Sequence, residues 1–121
     1  MFSLIPLLFA SPAGAGEEAQ VSATITAWMA YAPGLAAPSV EKHVKAKTAF
    51  CAEKYSESEF DLLTFNVRFG PEQNTVTLIE PTKLESRAVV RCIRDELVAP
   101  MPGQPSDTRG SVNIDVKIGA E

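Results

Sequence analysis

A chain of 121 residues with 45% hydrophobic side chains is long enough for one ordinary domain with a real core. Its 11 basic side chains face 15 acidic ones, for a formal charge of −4. That balance opposes general attraction to phosphate backbones and anionic lipid, where basic side chains supply most of the binding energy, and it excludes nucleic acid as an expected partner.

Taken in order, Met1 to Ala10 is apolar, and Ala13-Gly14-Ala15 places small residues where a signal peptidase needs them. Residues 1–15 therefore read as a secretory signal cleaved after Ala15. Residues 16–38 read as an N-terminal strand or arm and a linker. Val21, Ala23 and Ile25 alternate with Ser22, Thr24 and Thr26, the period of a half-buried strand. Trp28 and Tyr31 follow it. They are expected to pack on the domain, since a lone tryptophan in a small domain buries most of its surface; the functional alternative makes them an exposed partner-binding patch. Pro33, Gly34 and Pro38 break this apolar run short of the ~20 residues a spanning helix needs, so no integral membrane segment is expected after cleavage.

Residues 39–121 read as the main domain. Ser39 is the expected cap of a first helix, and Val44, Cys51 and Tyr55 share an inward sector of ~60° at ~100° per residue. Lys47 lies in that sector and must lead its ammonium out to water along its stem, while His43 and Phe50 flank it. After Ser56-Glu57-Ser58-Glu59 the pattern changes to alternation. Leu63, Phe65, Val67 and Phe69 face one way and Thr64, Asn66 and Arg68 the other. Gly70 to Asn74 supplies a turn, with Gly70 and Asn74 able to take positive φ, and Thr75 to Glu80 returns with Val76 and Leu78 inside. Pro81 stops that strand. Ser86 is the expected cap of a second helix running to Val98, with Val89, Val90, Ile93 and Leu97 in one arc, Cys92 at its edge, and Arg87, Arg91 and Arg94 opposite. These arginines read as a solvated face offset by Glu85 and Asp95, with an acidic-partner site as the sharper alternative. Ala99 to Gly110 is a proline-rich loop by composition, one that either wraps the domain or stands free. Val112, Ile114, Val116 and Ile118 then form a last strand that must pair back onto the hairpin to satisfy its backbone. The expected fold is α+β: two helices on an antiparallel sheet of three to four strands in the order α-β-β-α-β, with a candidate extra N-terminal strand.

An even pair of cysteines in an exported chain reads as one bridge, so Cys51 and Cys92 are expected to staple the two helices. No catalytic, cofactor or metal residues stand out. His43 is the only histidine, the two cysteines form no CxxC motif, and no glycine-rich loop follows a strand, so the expectation is no enzyme and no cofactor.

Several segments together resemble the AgmX/PglI C-terminal domain family, a relative of the TonB C-terminal fold of bacterial envelope proteins. They are Phe50-Cys51-Ala52-Glu53, Thr64 to Phe69, Asn74-Thr75-Val76, Thr82-Lys83-Leu84, Val89-Val90-Arg91-Cys92-Ile93, Pro100-Met101-Pro102-Gly103, and Gly110 to Ile118. The resemblance spans Ser39 to Ile118. The chain departs from the family pattern at Ala52, Asn74, Val116 and Ile118. What the resemblance implies is a periplasmic or outer-surface envelope module with a mixed helix and sheet fold, and no active site to carry over. The resulting expectation is a noncatalytic interaction module that binds an envelope protein through a sheet edge, compatible with homo-oligomers. The alternatives are a structural envelope component and a secreted inhibitor presenting the 100–110 loop.

Overall fold

A computed structural model describes residues 20–57 and 59–119. The expected signal at residues 1–15 lies outside the described residues. Four strands and two helices follow one another as β1 (Val21–Tyr31), α1 (Ala37–Lys54), β2 (Phe60–Arg68), β3 (Thr75–Glu80), α2 (Ala88–Val98) and β4 (Arg109–Ile118). A short 3-10 turn at Thr82–Leu84 follows the cis Glu80–Pro81 peptide. The strands form one antiparallel sheet in the order β1-β4-β2-β3. Strands β1 and β2 run parallel with β4 between them, and β3 and β4 run parallel with β2 between them. Each helix thus crosses over one intervening strand, giving two interlocked split β-α-β units.

The N-terminal strand is not an arm but a full member of the sheet, in register with β4 from Val21↔Ile118 to Tyr31↔Arg109, with one bulge between Ile25 and Ala27. The last strand does pair back onto the hairpin, from Phe60↔Ile118 to Arg68↔Ser111. Alternation decides which face is dry. Leu63, Phe65, Val67, Val76, Leu78, Val112, Ile114, Val116 and Ile118 are buried against Val40, Val44, Cys51, Val89, Val90, Ile93 and Leu97 of the helices. Among the described residues nothing covers the opposite face, which is polar along β2 and β4 and exposes Tyr31 and Ile79 toward its edges. There the Thr64 hydroxyl donates to Asp115 Oδ1 at 2.8 Å, and the Asn66 amide donates to Asn113 Oδ1 at 2.8 Å.

Helix α1 begins at Ala37, three residues before the expected boundary at Val40, because a proline in the first turn forfeits only an amide that has no intrahelical partner. Ala36, not Ser39, occupies the cap position. The buried stripe is Val40, Val44, Thr48, Cys51 and Ala52. Tyr55, expected on that stripe, is the residue that ends the helix and remains 42% exposed. Ser56 then takes φ 56°, and the Glu57 amide closes the helix end on the Ala52 carbonyl at 2.8 Å. Lys47 behaves as its stem requires, reaching Glu96 of α2 at 3.3 Å near the surface. In α2 the cap position is Arg87 rather than Ser86, and the expected arc of Val89, Val90, Ile93 and Leu97 is buried. Cys51 and Cys92 are bonded, with Cα atoms 5.7 Å apart, joining the two helices.

Thr48 carries a fault that can be corrected. Its hydroxyl is buried with no hydrogen-bond partner, although its β-branched shape fits the stripe. Valine keeps the shape and removes the stranded polar atom, so Thr48→Val should raise the free energy of unfolding by about 1 kcal/mol, read by denaturant titration. A loss of stability would mean that the hydroxyl has a partner in solution.

Of the two readings open for the 100–110 segment, it wraps the domain rather than standing free. Met101 and Thr108 are buried, and Gly34 in the β1–α1 connection packs so closely on Gly103 and Pro105 that a Cβ there would strike the Gly103 carbonyl. Gly110, the second residue of β4, takes φ 88° against the backbone of Met29 and Ala30, a place with room only for glycine. Neither Gly70 nor Asn74 takes the positive φ expected of the hairpin turn. Asn74 instead turns inward and is 1% exposed.

Candidate partner-binding edges

An open antiparallel sheet leaves two edges, and here they are β1 and β3. Each edge strand directs every second residue's N–H and C=O away from the sheet. The two edges are finished differently.

On β1 the Ile25 N–H points outward and donates to Glu41 Oε2 of α1 at 2.8 Å. A helix side chain thus occupies the middle of that edge, and the bulge beside Ile25 interrupts its straight run. A capping charge discourages an incoming strand, and it is what sets this edge apart, since the β3 edge carries a bulge of its own at Ile79. Glu41 does not stand out in the sequence, because its role comes from a contact between separate elements that no local pattern encodes.

On β3 the ladder with β2 assigns the outward groups. The Phe69 N–H donates to the Gly110 carbonyl at 2.9 Å, so Phe69, Val67 and Phe65 direct their main chains toward β4. The intervening Asn66 and Arg68 direct theirs toward Thr77 and Thr75. Val76 and Leu78 are left with N–H and C=O facing out, and among the described residues none bonds to them. Their side chains are buried, whereas Thr75, Thr77 and Ile79 are exposed on the bare face, Ile79 at 41%.

The sequence-expected contact residues are not gathered at either edge. Trp28 lies opposite Val112 on the helix side of β1 and is 37% exposed; Tyr31 lies opposite Arg109 on the bare side and is 50% exposed, with the Arg109 guanidinium 4.4 Å above its ring. The strand packs, as expected of it, but the two rings remain at the surface on opposite faces. Arg87 pairs with Glu57 at 3.1 Å and stacks over Phe60 at 5.0 Å. Arg94 reaches Glu85 at 4.0 Å. Arg91 is exposed beside Lys54, Tyr55 and Asp95 in a shallow cleft over the bridged cysteines. Two of the three arginines are therefore offset by carboxylates, Glu85 as expected and Glu57 in addition, and the aromatic pair and the arginines do not form one surface.

His43 is half-buried in a small hollow with Leu35, Ser39, Val40, Met101 and Pro102. Burial first and the Lys47 ammonium second hold its pKa below the usual imidazole value, so the ring stays neutral more readily than a free one. Those neighbours include no carboxylate or thiol that could make it a general base or part of a nucleophilic pair. Among the described residues no three histidine, cysteine, aspartate or glutamate side chains converge as metal ligands, and no helix is long and apolar enough to cross a membrane.

Comparison with protein-family models, with curated proteins and with solved structures finds no match to this chain.

Proposed function

We propose that this chain is a noncatalytic, exported interaction module that takes an extended segment of a protein partner onto the free edge of its sheet at β3. The observation that carries the reading is the outward main chain of Val76 and Leu78, which no other described residue pairs with or caps, while the opposite edge is capped by Glu41. An added strand would bond to those four groups and lay alternate side chains beside Thr75, Thr77 and Ile79. The disulfide supports an oxidising compartment, and the resemblance to TonB-like envelope domains favours the periplasm or outer surface as the setting. The isolated, partly buried His43 supports the noncatalytic part of the reading.

The test is selection of displayed random peptides on the oxidised protein, followed by hydrogen exchange with the selected peptide bound. Binding should slow exchange of the Val76 and Leu78 amides. Placing charge on the exposed side of the edge with Thr77→Lys and Ile79→Lys should weaken it about tenfold or more, the equivalent of ~1.4 kcal/mol. Selected peptides that leave both amides unprotected would overturn the assignment.

A further inference from the structure

A second place where main chain, space and charge coincide lies at the other edge. Between β1 and the first turns of α1 runs an open groove of about 510 Å³. Val21, Ala23 and Pro38 line it, with Glu41, Lys42 and Lys45 along the helix wall. Because the Ile25 N–H points away from β4, alternation turns the N–H and C=O groups of Ala23 and Val21 outward as well.

We infer that this groove binds an extended acidic segment of a protein partner, which pairs along Val21 to Ile25 and displaces the Glu41 carboxylate from the edge. The groove already contains a stand-in for that ligand. Glu41 places a carboxylate oxygen 2.8 Å from the Ile25 nitrogen, where an added strand would place a main-chain carbonyl. Lys42 and Lys45 are exposed, and among the described residues neither forms an ion pair. Lys42 and Lys45 set two ammonium groups against the single carboxylate of Glu41, so the wall keeps a net positive charge even after that carboxylate leaves the edge. A strand whose alternate side chains carry carboxylates would meet those ammonium groups while its main chain follows β1. The bulge after Ile25 ends the straight part of the edge, so pairing stops there and the site reads a short segment. Glu41 is then a built-in competitor whose carboxylate must leave before the partner seats.

This site rests on residues other than those of the β3 edge and stands or falls apart from it. Its test is fluorescence anisotropy of the full oxidised chain with capped ten-residue peptides that alternate valine with glutamate, or valine with lysine. The glutamate peptide should bind, weaken as salt is raised, and slow exchange of the Val21 and Ala23 amides. Lys42→Glu with Lys45→Glu should weaken it about tenfold or more, as loss of two complementary charges implies. Glu41→Ala should tighten it several-fold, and Glu41→Gln, which keeps the hydrogen bond to Ile25, should do so less. Thr77→Lys with Ile79→Lys should leave it unchanged, which separates this groove from the β3 edge. Equal binding of the lysine peptide, indifference to the charge reversal, protection at Val76 and Leu78 instead, or no binding even by the Glu41→Ala chain would each overturn the inference.

Discussion

Opening the Cys51–Cys92 bridge, by reduction or by replacing both residues with alanine, should remove ~4 kcal/mol from the free energy of unfolding and roughly 15 to 30 °C from the melting temperature. The bonded residues stand 41 apart, so the unfolded chain gains the entropy of a long loop when the bond is absent. For a domain whose whole stability is of order ~5 to 10 kcal/mol, that is close to half. The helices also share the buried core, and an ion pair between them adds to it. The Lys47–Glu96 pair spans them, but both side chains are about a third exposed, and such a pair contributes at most ~1 kcal/mol. Cys51 is fully buried and Cys92 partly buried, so alanine substitution also removes packed sulfur and should cost slightly more than reduction. Guanidinium titrations with and without reductant give the difference directly, and thiol labelling of the unfolded, unreduced chain should find no free thiol. A loss below ~1 kcal/mol would show that the sheet and core hold the helices without the staple.

How much of this architecture can be read from the sequence depends on whether a feature is local. The alternation of Leu63 to Phe69, of Val76 and Leu78, and of Val112 to Ile118 is a period-two signal that survives in any context, and all of these strands are present. The arc of Val89, Val90, Ile93 and Leu97 is equally self-contained. Helix ends fare worse, because Ser39 and Ser86 look like caps by type while Ala36 and Arg87 hold the positions. Tyr55 has the right angle for the buried stripe of α1 but lies where the helix stops, so periodicity alone places it wrongly. The β1 strand is visible as alternation in Val21 to Thr26, yet its partner is some ninety residues away, which leaves an arm and a sheet member indistinguishable in the sequence. For the same reason no pattern identifies which edge stays open, since Glu41 reaches Ile25 only after α1 has packed beside β1. What a sequence can expose is the existence of edges; which one is capped is a property of the assembled layers.

Asn74→Ala should cost ~2 to 4 kcal/mol, more than any other single polar substitution in the molecule, because three carbonyl groups and a second amide depend on one side chain. The two hydrogens of the Asn74 amide are shared among three acceptors, the Leu97 carbonyl at 3.2 Å, the Ala99 carbonyl at 3.3 Å and Gln104 Oε1 at 3.3 Å. Its Oδ1 accepts from Gln104 Nε2 at 2.9 Å, and its backbone N–H donates to the Val98 carbonyl at 2.7 Å. Helix α2 ends on Ala99 without a glycine in the left-handed conformation, so its last carbonyls would otherwise lack partners; the hairpin turn supplies them. Gln104 carries the same network onward, accepting the Met101 N–H at 2.9 Å and donating to the Gly70 carbonyl at 3.3 Å. One turn residue thereby ties the hairpin, the end of α2 and the proline-rich loop together. Gln104→Ala, in a more accessible place where water can substitute, should cost less, and a double-mutant cycle should return a coupling of ~1 kcal/mol or more. Asn74→Asp should be the worst of the series, since it keeps the acceptor for Gln104 but turns a carboxylate toward the Leu97 and Ala99 carbonyls. The measurement is denaturant unfolding joined to hydrogen exchange. The amides of Met101, Gln104 and Thr108 should lose protection in Asn74→Ala while those of Phe65 and Ile114 fall only with global stability. If the loop amides stay protected and the cost is below ~1 kcal/mol, the loop is held by the burial of Met101 and the packing of Gly34 on Gly103, and the amide network only decorates it.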